Sequence, residues 1–332
     1  MCGYSLAQKH IHITHKLNAD CVSHALFAPH GTKSLDNDAY SGTIETLSYY
    51  DTRKDLVLRH ASPTLHRLWS YLARPNAKAS EQIQEYIASN TLQNADVASF
   101  TVASKLHQSD ISPLQVYAEC ADHLFAGVET TGDTLCFLLW QLSQPESKDV
   151  QLRLQRELSG VSHTSDLDKL PYLNAVIDEG LRLYTAAANY LSRLAPPSGA
   201  VIDGYAIPGK TLVSVQPYTV HRSDEYPQAE EFDPSRWLPE DQEPQAQQDT
   251  KPGLRPSDRA LFMPFGIGSR TCIGKNLARA EMTYLLATVY SQYSTVASER
   301  MAADGISMEM SDQLLTVRPR DTQCWLKFVA TE

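Results

Sequence analysis

No stretch of the 332-residue chain approaches the ~20 uncharged apolar residues that a membrane-crossing helix needs. The opening Met1-Cys2-Gly3-Tyr4-Ser5-Leu6-Ala7-Gln8-Lys9-His10 lacks the apolar core of a secretory signal. The six cysteines (Cys2, Cys21, Cys120, Cys136, Cys272 and Cys324) are scattered, with no C-x-x-C pair. That pattern offers no zinc site and fits a reducing compartment. Positive charge is short: 29 Lys+Arg stand against 39 Asp+Glu, a net −10, which argues against nonspecific nucleic-acid binding. No internal repeat is present. The expectation from these absences is a soluble, unsecreted chain. With 42% hydrophobic and 20% charged residues, it is not a disordered or collagen-like one. At ~150 residues per domain the length allows one large domain or two small ones, and it suffices for a core without disulfides.

What is there reads mainly as helix. Apolar residues recur at helical spacing around 16–28, 43–50, 55–73 and 80–90. Ser112 is a good N-cap, Pro113 suits the first helical position, and Gln115 completes a capping box. Apolar residues continue to Leu142 and Pro145 lies just beyond, so a helix of some 30 residues is expected. Further helices are expected at 148–158, at 171–184 behind Pro171, and from about 275 to 292. Between 194 and 220, Val201, Ile202, Tyr205, Ile207, Val213 and Val215 alternate with Gly199, Gly204, Pro208 and Gly209, which suggests short strands and hairpins. The last 30 residues look like another hairpin. Arg74–Ser80 and the Pro/Gln/Glu/Asp-rich 239–256 read as exposed loops. The fold class expected is mainly α with a small β part.

Three segments carry candidate chemistry. In Phe265-Gly266-Ile267-Gly268-Ser269-Arg270-Thr271-Cys272-Ile273-Gly274, glycines permit a tight loop that can present one sulfur. A helix starting just after Cys272 turns its positive end toward that sulfur, which favours thiolate, the form that binds iron. A lone cysteine of this kind is more often simply core. In Glu179-Gly180-Leu181-Arg182, the i, i+3 spacing sets Glu179 and Arg182 on one helix face, which alone could be a minor surface pair. In Ala126-Gly127-Val128-Glu129-Thr130-Thr131, a glycine and adjacent β-branched residues interrupt a long helix, and a threonine hydroxyl can bond a preceding carbonyl and open it.

Together these segments resemble the cytochrome P450 family. Phe-x-x-Gly-x-Arg-x-Cys-x-Gly matches its haem-binding loop at every signature position. Glu179 and Arg182, with Arg236 in Phe232-Asp233-Pro234-Ser235-Arg236-Trp237, match its Glu-Arg-Arg network. Ala126–Thr131 is similar to its distal-helix motif. The resemblance implies a haem-thiolate monooxygenase that inserts one atom of dioxygen into a lipophilic small molecule, in secondary metabolism of the filamentous-fungal kind. The cofactor is haem b (iron protoporphyrin IX). Cys272 is then the axial iron ligand, Phe265 packs near its sulfur, and Arg270 and Arg193 meet haem propionates. Ala126 and Gly127 leave room for dioxygen, and Glu129 with Thr130 handles protons. Glu179, Arg182 and Arg236 are structural. The implied electron donor is NADPH–cytochrome P450 reductase, and the implied location the endoplasmic reticulum membrane, although the chain as written has no anchor and would be cytoplasmic or peripheral.

The sequence also departs from the family. Thr185 stands where many members have proline, and Ser235 where an acid is common. Members carry a further segment ahead of the long helix, for which residues 1–110 offer no counterpart. The expectation is therefore one partial domain lacking the fold's N-terminal segment, with roof helices in 1–110 and a haem-binding core in 111–332. Two alternatives stay open: a non-catalytic truncated fragment, and a haem-thiolate isomerase or dehydratase. His221 is expected to be a satisfied structural histidine, and His10, His12 and His15 exposed polar scatter. Between Lys251 and Arg279 six basic residues face one acid, a candidate docking collar for an acidic electron-transfer partner.

Overall fold

A computed structural model describes residues 8–37, 53–72, 77–92, 96–161, 167–189, 192–239, 261–311 and 316–331. Helix α1 (His10–Phe27) follows a two-residue strand, β1 (Gln8–Lys9). Then come α2 (Arg53–Ala61), α3 (Pro63–Leu72), α4 (Ala77–Thr91), α5 (Val102–His107), the 30-residue α6 (Pro113–Leu142), α7 (Lys148–Leu158) and α8 (Pro171–Leu183). Short strands β2 (Arg193–Leu194), β3 (Ala200–Ile202), β4 (Tyr205–Ile207) and β5 (Leu212–Val213) precede α9 (Pro217–Val220) and α10 (Lys275–Tyr290). The C-terminal part holds β6 (Tyr293–Ala297), α11 (Glu299–Ala303), β7 (Met310–Ser311), β8 (Arg318–Pro319) and β9 (Trp325–Ala330). This is the mainly α architecture with a small β part that the sequence implies.

Helix α6 begins where its sequence signals place it. Ser112 Oγ accepts from the Gln115 N–H at 3.3 Å, and Gln115 Oε1 accepts from the Ser112 N–H at 2.8 Å. Two otherwise orphaned donors are thereby satisfied. Its N-terminal half, from Val116 to Val128, joins a core shared with α1, α4 and α5. Its C-terminal half, from Leu135 to Leu142, joins a second core with α7, α8, α10 and the C-terminal strands. Polar residues Glu129 to Thr134 lie at the seam.

Some boundaries differ from the sequence reading. The helix expected over 55–73 is two, because Pro63 has no N–H for the helical ladder and instead opens α3. Ala77–Ser80, expected in a loop, opens α4, in keeping with its good helix formers. Helix α5 was missed, although Thr101 caps it by accepting from the Ser104 N–H. The strands at 200–207 form the expected hairpin, with Val201 opposite Ala206, but Val215 lies outside any strand. The C-terminus is not one local hairpin. β7 and β8 pair with each other, whereas β9 lies between β6 and β1. The helix expected at 43–50 and nearly all of the loop expected at 239–256 lie outside the described residues.

α1 lies along α6 because glycines on α6 let the backbones approach. A Cβ at Gly127 would stand 2.6 Å from Val22 Cγ2. Branched Val22 cannot swing aside, so Gly127→Ala should cost ~1–3 kcal/mol by overpacking. Urea unfolding of G127A and of the V22A/G127A pair checks this. The pair should recover part of the loss, and equal stability of G127A and wild type would contradict the close approach.

Candidate functional site

The loop before α10 is closed by its own backbone. The Cys272 N–H donates to Phe265 O at 2.8 Å, and the Thr271 hydroxyl reaches Phe265 O at 3.2 Å and Gly266 O at 3.1 Å. Gly266 and Gly268 have φ of 69° and 76°, a region that disfavours any side chain. A short 3-10 turn, Gly268–Arg270, carries the chain to Cys272, three residues before α10 begins. Phe265 packs against the larger core, and Leu277 on α10 packs against the core that holds Leu124 and Val128 of α6. Loop and long helix are thus fixed to one packed body.

Among the described cysteines, Cys272 is the exposed one. Burial pushes the Cys21 and Cys120 thiols up to about 11 and Cys136 well above its ordinary value, so none of the three presents a thiolate near neutral pH. Cys324 is buried. Arg270 and Arg193 are both exposed, and Ile267 and Ile273 present 65% and 84% of their surface. An accessible sulfur with apolar neighbours and a guanidinium two residues away is a donor set that fits a haem with acidic propionates. No cluster of three or more His, Cys, Asp or Glu suited to a bare metal ion occurs among the described residues.

On α6, Ala126 is exposed while Gly127 is turned to α1, where Val22 fills the space a side chain would take. The Thr130 hydroxyl donates to Ala126 O at 2.7 Å, and the Thr134 hydroxyl to Thr130 O at 2.9 Å. Burial, and secondarily the neighbouring Asp133 charge, raise the Glu129 pKa, while a Thr316 hydroxyl, Arg318 and His15 pull the other way.

The charged residues flagged beyond the loop meet in one place. Glu179, Arg182 and Arg236 are 0%, 0% and 6% exposed. Glu179 Oε1 accepts from Arg182 Nη2 at 2.8 Å, Arg236 Nε at 2.9 Å and the Asp233 N–H at 2.9 Å. Its Oε2 accepts from Arg182 Nε at 2.8 Å and Trp237 Nε1 at 2.9 Å. Arg182 donates further to the carbonyls of His221, Ala229 and Glu231, so all five of its N–H groups are used. Trp237 as a direct partner of Glu179 was not read from the sequence. An aromatic after the arginine was the only signal.

His221 is fully buried, and burial lowers its pKa to about 4. Its Nε2 accepts from the Met263 N–H at 3.0 Å, the satisfied structural role expected of it. His15 does not match expectation: it is 1% exposed, with Nε2 3.2 Å from Asp133 Oδ1. Its polar side chain is buried because α6 offers a carboxylate there, which spacing along the chain could not reveal. Of the six basic residues in the expected collar, Lys251, Arg255 and Arg259 lie outside the described residues. Arg279 is spoken for by Asp178 at 2.6 Å and Asn174 at 3.1 Å, which leaves Arg270 and Lys275 as its exposed members among the described residues.

Two predictions follow from these environments. Glu179→Gln removes the charge that compensates two buried arginines and should cost ~3–5 kcal/mol in chemical denaturation. A loss below ~1 kcal/mol, the range of a surface pair, would show that the network is not needed. Separately, burial raises Glu281 from 4.5 to about 8. The folded chain then binds a proton that the unfolded chain releases, and stability falls as pH rises from 4.5 to about 8. Glu281→Gln cannot ionise, so its Tm advantage over wild type should grow across that window. Parallel Tm–pH curves would contradict the assignment.

The family model described as Cytochrome P450 matches residues 37–323. The chain is similar to cytochrome P450 monooxygenase stcB of Emericella nidulans, with 33% identity over 66% of this chain and 40% of that protein. It is 32% identical to cytochrome P450 monooxygenase orf2 of Aspergillus niger over 73% of this chain and 47% of that protein. Averantin hydroxylase of Dothistroma septosporum is 32% identical over 64% of this chain and 40% of its own length. The chain thus spans less than half the length of each of these relatives. Among the described residues no helix is long and apolar enough to cross a membrane. With its thiol-bearing loop, buried Glu-Arg-Arg network and long capped helix all inside the matched stretch, the chain belongs to the cytochrome P450 family.

Proposed function

We propose that the chain is a haem-thiolate monooxygenase of secondary metabolism that hydroxylates a lipophilic small molecule. The observation that carries this reading is the exposed Cys272 thiol on a glycine-shaped loop, among cysteines that are otherwise buried or have raised pKa values. Cys272 would hold haem b, with Arg270 and Arg193 toward its propionates and Phe265 beside the sulfur. Haem bound through a thiolate supplies dioxygen activation.

The chain's own residues then manage protons and space. The Thr130 hydroxyl spends its proton on Ala126 O, so its oxygen is an acceptor and can fix a water or other donor beside the small Ala126. Glu129, whose pKa is raised chiefly by burial, would pass a proton along such a water. Gly127 contributes by letting α1 approach rather than by leaving open space. Glu179, Arg182 and Arg236 fix the segment from 221 to 237 beneath the loop. Electrons would come from NADPH–cytochrome P450 reductase, with the exposed Lys275 in its docking surface, at the endoplasmic reticulum membrane. We read the chain as a single domain, with 1–110 over the substrate and 111–332 around the cofactor.

A second reading, a chain that does not turn over by itself, is favoured by its spanning only 40% and 47% of two relatives. Purified chain given haem, reduced and exposed to carbon monoxide separates the two. The expected result is a thiolate-type Soret band that is lost in Cys272→Ala. Its absence from wild type would remove the monooxygenase reading for this chain.

A further inference from the structure

Two cysteines far apart in the chain meet in the larger apolar core. Cys136 on α6 and Cys324, just ahead of β9, are both 0% exposed and belong to that one core. Neither takes part in the cysteine loop or in the Glu179 network. Their thiols are hydrogen-bonding neighbours, and that contact, after burial, helps to hold the Cys136 thiol well above its ordinary pKa. Tyr290, also 0% exposed, feels Cys324 as well.

The backbone on both sides of the pair is held by separate bonds. Ser143, at the end of α6, has its Oγ 2.8 Å from Thr295 Oγ1, and its carbonyl accepts from the Ala297 N–H at 3.2 Å. Gln151 on α7 donates to Thr295 O at 2.8 Å and accepts from the Thr295 N–H at 2.9 Å. β6 is thereby fastened to the end of α6. β6 in turn sets Ala297 opposite Leu326 of β9, and the Ser298 N–H donates to Trp325 O at 2.9 Å, next to Cys324. Cys136 precedes Ser143 by seven residues, about two helical turns, so it lies on the same face of α6. From hydrogen-bonding contact, a rotamer change can bring two sulfurs to the ~2.05 Å of a disulfide.

We propose that Cys136 and Cys324 form a latent disulfide, closed by hydrogen peroxide, that clasps α6 to the C-terminal sheet. One thiol, as thiolate, attacks the peroxide; its S–O bond forms as the O–O bond breaks and hydroxide leaves. The second sulfur then attacks the first, the S–S bond forms and the S–O bond breaks. The two thiols lose two electrons and two protons, and peroxide is reduced to two waters. Burial keeps this reaction slower than oxidation of the exposed Cys272. The closed loop contains the Glu179 network and the Cys272 loop, so oxidation restrains the unfolded form of the segment proposed to hold the cofactor.

The test treats the folded, previously reduced chain with hydrogen peroxide, blocks remaining thiols with N-ethylmaleimide and maps the digest by mass spectrometry. A linked Cys136–Cys324 peptide, lighter by two hydrogens than its separate halves, is expected. In urea the link should give way to Cys120–Cys136, because Cys120 is the nearest cysteine to Cys136 along the chain. The oxidised chain should show a shift of about a hundredfold toward the folded form at the urea midpoint of the reduced chain. Dithiothreitol should reverse that shift. Cys136→Ala and Cys324→Ala should each lose it, and if neither variant folds, the wild-type map and urea curves decide. The inference is overturned if both thiols of the folded chain stay reduced while Cys272 is oxidised, or if they link no more readily than in urea. A link that leaves the urea midpoint unchanged or lower overturns the clasp.

Discussion

The rest of the structure depends on one buried carboxylate. Glu179 has no solvent contact, yet it remains compatible with a charge because five donors converge on it from α8, from the segment before Trp237 and from Trp237 itself. Such a set is stable only when complete. Removing one member leaves the others desolvated and unpaired, which costs more than the lost contact itself. The network also reaches the cysteine loop. Arg182 holds the His221 carbonyl at 2.7 Å, and the His221 ring holds the Met263 N–H, two residues before Phe265. Backbone order in the thiol-bearing loop is thereby tied to Arg182, more than eighty positions upstream.

Helix α6 is the second constraint. It runs through both apolar cores, and its polar residues fall where one core ends and the other begins. That arrangement lets Glu129, Thr130, Asp133 and Thr134 sit inside a packed body without interrupting either core. Small residues serve different ends along it. Gly127 and Gly132 bring α1 within contact distance, while Ala126 stays exposed beside the Thr130 hydroxyl. A single continuous stretch of helix thus packs closely against α1 on one side and stays open on the other.

Much of the site was legible because its motifs are local. The tight turns at Gly266 and Gly268, the capping box at Ser112 and the i, i+3 pair at Glu179 and Arg182 each depend on residues within a few positions. The parts that were missed depend on distant partners. Nothing near His15 in sequence distinguishes a buried histidine from an exposed one, since Asp133 meets it only after α1 has packed on α6. Nor could the local count of basic residues show that Arg279 is neutralised by Asp178 on α8.

The family, the mainly α class and the long capped helix can be read from the sequence alone, because each is encoded by short-range periodicity or by a fixed spacing of residue types. Tertiary structure alone decided which polar groups are buried and who satisfies them. It paired Trp237 with Glu179, turned Gly127 toward Val22 and enclosed His15 with Asp133, Asn18 and, one turn away, Glu129. The physical reason is that desolvation and charge pairing depend on distance in space, and those distances are set only when helices far apart in the chain come to share one core.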